Sequence, residues 1–494
     1  MLKMATNESN EVGHENLYKK SSGEISHIKF ASKAALKSSQ LKQRERLITH
    51  KRLKIESLEK ADLVLSSQEE REKVVNATRL LKHGKKAEAL RILHRSFSRH
   101  FENAQTFISC EGLPLLHSCF LSADSEILHA AAWCAINLSA GSCDVTQRIM
   151  SLSPTLIQFL QGNDAVMQEL CAWAIANLAG DSQINKRTLL EQGCIPYLVD
   201  LISVKHQRDL EARSQSVLFA LINLARDTDY TCLRCMQEGA IYPHVVAVLK
   251  ETPPTSDICY EIGWLVNCIY ARPETFAEYK SQFIPVLSLV ISKLSQIVQL
   301  IDQAQREKVI LPYIYCIGNI IGQSSDMAAV ASQHISLSTS ILACLTSETG
   351  FVQKEILWML QNFFAEPSCR VLVMCQPQLL QIIFNLCHSF DFDIAFKSLC
   401  LVDDMTKVSC QMCEYLLHQG FINMAVVLLK QLDVRIVYST LDILMDVVSQ
   451  VPEATVLLAT AGAADLQQLL STGSTPSDIR AKAQQLLSSI QLVT

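Results

Sequence analysis

Five pairs of an aromatic residue and an asparagine recur in the chain at a spacing of four, which places both side chains on one face of a helix. A primary amide can pair with the N–H and the C=O of an extended peptide backbone. Neighbouring indoles can hold the methylene stem and the charge of Lys or Arg. The pattern therefore predicts a surface that binds an extended basic peptide. The pairs are Trp133/Asn137, Trp173/Asn177, Phe219/Asn223, Tyr315/Asn319 and Trp358/Asn362.

The asparagines indicate where this surface lies. A buried amide without partners costs ~1–3 kcal/mol for each polar group left unpaired. Repeating such an amide inside an apolar core would multiply that cost, so we expect the pairs on an exposed concave surface. Core packing is the alternative interpretation of any single tryptophan. The fourth tryptophan, Trp264, precedes Asn267 by three residues, so all four indoles occupy the same element of a repeat.

Catalytic motifs are absent from the sequence. It contains no Gly-rich phosphate loop, no His-Glu-x-x-His and no Gly-x-Ser-x-Gly, which argues against an enzyme. Two Cys-x-x-Cys pairs, Cys232/Cys235 and Cys410/Cys413, could in principle ligate zinc or exchange disulfides. One cysteine of each pair lies seven residues before a repeat glycine, so we interpret both pairs as packing residues of short helices. We expect no metal and no cofactor.

The elements that must position the aromatic and amide pairs recur about every 40 residues. A glycine precedes an apolar helical pattern five times, and successive intervals include 81, 46 and 42 residues. This period is typical of armadillo and HEAT repeats, whose helices must stack because each repeat is too small to bury its apolar face. We predict an all-α, right-handed armadillo superhelical solenoid of about ten repeats over residues 68–494. The glycines are Gly112, Gly193, Gly239, Gly420 and Gly462.

The composition agrees with a helical chain. Its 494 residues are 49% hydrophobic and 19% charged, and only 16 Gly and 13 Pro are present to form turns. The first residues lack the apolar run of a signal peptide. The most apolar stretches, such as residues 283–292, are shorter than the ~18–20 residues of a membrane-spanning helix, so we expect no span. The 18 cysteines are expected to be reduced and mostly buried.

Charge is distributed unevenly between the start of the chain and the rest. Residues 1–60 contain 13 Lys and Arg against 7 Asp and Glu, whereas the remaining 434 residues contain 31 against 42. We predict a flexible basic arm over residues 1–67. One alternative is a solvated basic helix, and another is an arm that binds nucleic acid or a membrane surface. The acidic remainder of the chain would repel phosphate, so the charge favours an intramolecular contact or a protein partner. The densest basic positions include Arg44, Arg46, Lys51, Arg52 and Lys54.

From the arm to the C-terminus, these features resemble importin-α, the armadillo adaptor of nuclear import. The resemblance implies a protein of the cytoplasm and nucleus that binds lysine-rich nuclear localisation signals and links cargo to importin-β, without contacting nucleic acid directly. Two alternatives remain. One is a scaffold of the same fold that has lost import activity, and the other is a HEAT-like protein whose basic head associates with membranes.

The resemblance also implies a major peptide site. Importin-α binds the signal along Trp-x-x-x-Asn pairs, and its key lysine pocket combines a small residue, a threonine and an aspartate. In this sequence the pocket residues match Gly141, Thr146 and Asp181, of which Asp181 would neutralise the lysine ammonium. The groove residues that match are Trp133, Asn137, Trp173, Asn177, Phe219, Asn223 and Arg226.

A minor site and the arm are matched less completely. Cys400 and Asp404 stand where the next Trp and Asn of the minor site are expected, and Tyr315 stands where a basic residue is usual. The resemblance implies that the arm binds importin-β and otherwise occupies the groove, with Lys51, Arg52 and Lys54 directed to Asp181. The minor-site residues that match are Tyr315, Asn319, Glu355, Trp358 and Asn362.

Overall fold

A computed structural model describes residues 67–202, 211–226, 241–270, 273–346, 349–364, 366, 369–370, 373, 376–472 and 475–491. Within those ranges the regular elements are α-helices and one 3-10 turn at Met150–Leu152, with no strand. The all-α class predicted from the sequence is confirmed. Of the basic arm predicted over residues 1–67, residues 1–66 lie outside the described residues. Ser67, the last residue of the predicted arm, begins the first helix.

The helices form two compact units. The first contains α1 (Ser67–Lys82), α2 (Lys86–Arg99), α3 (Phe101–Ser109), α4 (Gly112–Cys119), α5 (Ser125–Ser139), α6 (Cys143–Ile149), α7 (Ser153–Leu160), α8 (Ala165–Ala179), α9 (Gln183–Glu191), α10 (Cys194–Leu201), α11 (Glu211–Ala225), α12 (Ile241–Glu251), α13 (Ile258–Tyr270), α14 (Pro273–Leu300), α15 (Gln303–Ile321), α16 (Ser325–Ser332), α17 (Ile335–Leu345) and α18 (Gly350–Phe363). The second contains α19 (Pro377–Leu386), α20 (Phe392–Thr406), α21 (Cys410–His418), α22 (Phe421–Leu428), α23 (Val434–Gln450), α24 (Pro452–Ala461), α25 (Ala463–Ser471) and α26 (Ser477–Gln491).

Each repeat ends in one long helix, which we call its third helix. These are α2, α5, α8, α11, α13, α15 and α18 in the first unit, and α20, α23 and α26 in the second. Within each unit, the third helix of one repeat packs against the third helix of the next repeat. The described residues therefore contain ten third helices, in agreement with the predicted number of repeats.

Local sequence signals set the ends of these helices. Asp124 begins α5 by accepting a hydrogen bond from the backbone N–H of Glu126 at 2.9 Å, and Asp164 begins α8 in the same way from Val166. The predicted turn before the second helix of a repeat is present at Gly193, which has φ of +75°. A residue with a side chain rarely adopts that backbone angle, so glycine suits this position.

Buried asparagine amides connect successive third helices of the first unit. The Nδ2 atom of Asn137 donates to the carbonyl oxygen of His94 at 2.9 Å, and that of Asn177 donates to Ile136 at 3.1 Å. Asn223 on α11 likewise donates across to α8. We call this interaction the asparagine clip. It joins residues more than 40 positions apart and so holds one repeat to the next.

The clips correct the expectation that these amides lie exposed. Asn177 and Asn223 are fully buried, and Asn137 is 2% exposed. The cost of burial that argued for exposure is offset because a backbone carbonyl of the preceding repeat accepts from each amide. The expectation was wrong because the amides pair with backbone carbonyls, which every residue has, so the residue types did not indicate that partners were present.

An apolar segment of α14 corrects a second expectation. Among the described residues, the 18-residue window Phe283–Leu300 is long and apolar enough to cross a membrane, and 44% of it is buried. Its one charged residue, Lys293, is buried, and its ammonium donates a hydrogen bond to the carbonyl oxygen of Thr252 at 2.6 Å. The helix packs against α15 and α17, as a core helix of the stack does.

Removing one asparagine clip should lower stability. In Asn177→Ala the carbonyl of Ile136 loses a buried donor, so we expect the free energy of unfolding to fall by about 1–3 kcal/mol. Urea denaturation followed by circular dichroism measures this change. Asn163→Ala removes an exposed amide before α8 and serves as the control. A loss no larger than that of the control would show that the clip contributes nothing.

Candidate functional site

The asparagine clips show that the aromatic and amide pairs form one row across the first unit. Asn177 donates to the carbonyl of Ile136, and Ile136 is the residue directly before Asn137, the previous asparagine of the row. The same relation joins Asn223 to Ala176, and Asn362 to Gly318 at 2.9 Å. The pairs therefore occupy equivalent positions on α5, α8, α11, α15 and α18. The structure thus places the aromatic and amide pairs on successive third helices, and their role in binding a peptide stays a prediction.

The α13 repeat departs from this pattern, as its sequence spacing suggested. Trp264 has Asn267 three residues after it, and the amide of Asn319 on α15 donates to the side-chain oxygen of Asn267 at 3.1 Å. An amide acceptor thus replaces the backbone carbonyl used in the other clips. Trp264 is 2% exposed.

The row has an open half at α5 and α8. Trp133 and Trp173 each keep part of the indole exposed. The ring of His94 on α2 packs against Trp133, with centroids 5.4 Å apart, and the carbonyl of His94 accepts the clip from Asn137. His94 therefore contacts both members of the first pair, the ring of Trp133 and the amide of Asn137, a role that sequence reasoning missed. Its only sequence signal is its distance of about one repeat from Asn137.

The row has a filled half from α11 to α18. The ring of Phe219 is 1% exposed, Tyr315 is fully buried and Trp358 is 6% exposed. The expectation that the aromatic rings form open slots is therefore wrong for Phe219 of the predicted major site and for Tyr315 and Trp358 of the predicted minor site. Glu355, which was matched to the same site, is 2% exposed within α18, whereas Asn319 and Asn362 are half-buried.

The three residues of the predicted lysine pocket differ in exposure. Gly141 is buried, and a Cβ atom there would lie 3.0 Å from the carbonyl oxygen of Leu138, so packing itself requires a small residue. Thr146 is fully buried, and its hydroxyl donates to the carbonyl of Ser142 at 2.8 Å. Asp181 is half-buried, and its carboxylate accepts from the amide of Asn185 at 3.4 Å. Asp181 is thus the pocket residue whose side chain reaches the surface.

Buried lysines near the row were not predicted from the sequence. Lys186 on α9 is 5% exposed and donates its ammonium to the carbonyl of Arg226, directly after α11. Lys293 bonds to Thr252 in the same way after α12, and burial lowers the pKa of Lys293. A cation at the C-terminal end of a helix satisfies its last carbonyls. Arg226 itself is 5% exposed, so the structure places it among buried groups.

Several sequence-predicted positions fall elsewhere. The arm residues Arg44 to Lys54, together with Cys232 and Cys235, lie outside the described residues. In the second unit Cys400 is buried and Asp404 is half-buried on α20.

The second Cys-x-x-Cys pair lies on α21, and only one of its members packs in the core. Cys413 is buried, as predicted, and burial raises the pKa of its thiol to about 11. Cys410 is exposed, so the prediction of core packing is wrong for that residue. No group of three or more His, Cys, Asp or Glu that could hold a metal ion occurs in the described part of the chain.

Sequence comparison finds distant relatives, and no family model matches the chain. The chain is 25% identical over 320 residues to "Importin subunit alpha-9" of Arabidopsis thaliana, which covers 63% of this chain and 59% of the relative. It is 24% identical over 345 residues to "Importin subunit alpha-2" of Oryza sativa subsp. japonica, covering 67% and 62%. The chain thus spans less than two thirds of the length of these relatives.

Structural comparison addresses the fold. The crystal structure of an engineered protein matches with a TM-score of 0.69 and 19% identity, covering 85% of this chain and 99% of that one. A designed armadillo repeat protein in complex with the peptide (KR)4 covers 59% of this chain with a TM-score of 0.37. In fold the chain is an armadillo-repeat solenoid, and the curated homologues that it matches are importin α subunits.

Proposed function

We propose that the chain binds an extended, lysine-rich peptide across α5, α8 and α11 and acts as an adaptor for nuclear import. The observation that carries this proposal is the pair of partly exposed indoles, Trp133 and Trp173, on successive third helices. Both stand in register with clip asparagines, and Asp181 lies just beyond α8. Importin α relatives and an armadillo fold support a protein-binding scaffold, and these residues give the ligand its chemistry.

The exposed indole surfaces suit long cationic side chains. An indole face attracts an ammonium or a guanidinium by about 0.5–2 kcal/mol, and its edges pack against the methylene stem. Trp133 and Trp173 belong to neighbouring repeats, so each offers such a surface one helix spacing apart. Side chains of Lys and Arg are the ones that satisfy both kinds of contact.

The clip amides contribute to the proposed site by holding its helices in register. Asn177 and Asn223 are fully buried and Asn137 is 2% exposed, and each donates to a backbone carbonyl of the preceding repeat. Because the clips fix the third helices relative to one another, they set the spacing of the exposed indole surfaces. Specificity for the peptide would therefore come from contacts of its cationic side chains with these two indoles and with Asp181.

Asp181 would supply the strongest single contact. Its half-buried carboxylate lies after the C-terminus of α8, where the helix dipole adds negative potential. A charge-assisted hydrogen bond from a lysine ammonium contributes about 1.5–3 kcal/mol. The excess of acidic over basic residues after residue 60 would also attract a cationic peptide.

Reversing the charge at Asp181 should abolish most of the affinity. For a fluorescent peptide with one cluster of about five Lys and Arg, we expect Asp181→Lys to raise the Kd at least about tenfold, because the lost contact is worth about 1.5–3 kcal/mol. Trp173→Ala should raise it about threefold or more, because one indole surface is lost. Fluorescence anisotropy of residues 68–494 measures both values.

Glu414→Lys provides the matched control. It makes the same charge change on the exposed surface of α21 in the other unit and should leave the Kd within about twofold. Absence of peptide binding, or equal binding by Asp181→Lys and Glu414→Lys, would refute the proposed site.

The arm distinguishes an import adaptor from a scaffold of the same fold. As an adaptor, the full chain should capture importin-β, and a variant with Lys51, Arg52 and Lys54 changed to Ala should lose most of this capture because the basic cluster is gone. Removal of residues 1–67 should also increase peptide affinity, because the arm no longer competes for the groove. Pull-down and anisotropy measure the two effects.

A scaffold that has lost import gives a different result. It would bind basic peptides through Trp133 and Trp173 but fail to capture importin-β with the intact arm. This second candidate is favoured by the filled half of the row, where Tyr315 stands in place of the basic residue usual in importin-α.

A further inference from the structure

The filled half of the row contains a continuous stack of aromatic rings. The ring of Tyr315 on α15 lies between Trp264 on α13 and Trp358 on α18. Its centroid is 5.6 Å from that of Trp264 and 6.2 Å from that of Trp358. Tyr260, one turn before Trp264, extends the stack with a centroid distance of 6.1 Å. We call these four residues the aromatic stack.

These distances leave no slot for a cationic side chain. A methylene stem held between two rings contacts each at about 3.5–4 Å, so the rings must stand about 7–8 Å apart and nearly parallel. In the aromatic stack the planes of Tyr315 and Trp264 are tilted by 43°, and those of Tyr315 and Trp358 by 71°. Rings in this arrangement contact one another directly.

A glycine holds the aromatic stack against α15. A Cβ atom at Gly318 would lie 2.3 Å from Cζ3 of Trp358, so the indole rests on the backbone of that helix. The amide of Asn362 also donates to the carbonyl of Gly318, which fixes α18 at this position. The closure is therefore part of the packing between repeats.

The two halves of the row differ in what they offer to a ligand. Trp133 and Trp173 keep part of the indole surface exposed, whereas Trp264 and Trp358 are 2% and 6% exposed. We infer that the groove across the described helices α5 to α18 accepts a peptide with a single cluster of cationic side chains, and that its filled half has no site for a second cluster. This inference rests on the proposed function and specifies its ligand class.

The geometry also sets the length of the ligand. Third helices pack about 8–10 Å apart, so the path from α5 to α11 is about 18 Å and takes about six extended residues. A second cluster placed against α15 and α18 would have to lie about 27–36 Å beyond α8, or about eight to eleven residues away. These lengths define the peptides that test the inference.

Two fluorescent peptides provide the test with the full chain. One carries a single cluster of about five Lys and Arg, and the other carries the same cluster with a second one about eight to eleven residues away. We expect Kd values within about twofold of each other by anisotropy. A two-cluster peptide that binds at least about tenfold more tightly would overturn the inference and leave the proposed function standing. If neither peptide binds even when Lys51, Arg52 and Lys54 are changed to Ala, so that the arm no longer competes for the groove, the proposed function fails and the inference falls with it.

A second measurement tests the closure without any peptide. Chains that keep only Trp173 or only Trp358, with the other tryptophans changed to Phe, report accessibility through acrylamide quenching. We expect Trp173 to be quenched several times more efficiently than Trp358. Equal quenching of the two would show that the aromatic stack is open and would overturn the inference whatever the peptides do.

Discussion

The asparagine clip is the interaction on which the arrangement of the first unit depends. A side chain on one third helix donates to the backbone of the previous one, as from Asn177 to Ile136 at 3.1 Å and from Asn223 to Ala176 at 2.8 Å. Apolar packing alone is non-directional and would tolerate sliding of one helix along another. A buried hydrogen bond has one good geometry, so it sets the register between repeats.

Because the register is set, the ring four residues before each clip asparagine falls at the same place in each repeat that has a clip. This turns a recurrence in the sequence into a row of aromatic rings. Whether a ring in the row is available to a ligand then depends on its neighbours across the repeat boundary. Trp358 rests on Gly318 and contacts Tyr315, whereas Trp133 and Trp173 remain partly exposed.

Charged groups inside the first unit serve its structure as well as its surface. Lys186 and Lys293 are buried, and each donates to a carbonyl directly after the end of another helix. The carbonyls lack intrahelical partners, so a lysine both satisfies them and opposes the negative end of the helix dipole. Asp181, by contrast, follows the C-terminus of α8 with a half-buried carboxylate, which places a negative charge at that end of the helix.

The sequence by itself determined the helical class, the period of about 40 residues and the alignment of aromatic and amide pairs, because these follow from local periodicity and spacing. It also located all four tryptophans on third helices. It could not distinguish Trp173 from Trp358, since both precede an asparagine by four residues. Only the tertiary structure decided that one is partly exposed and the other 6% exposed, because burial depends on residues one repeat away. The acceptors of the clips could not be predicted either, because every residue has a backbone carbonyl and the sequence does not show which carbonyl an amide will reach.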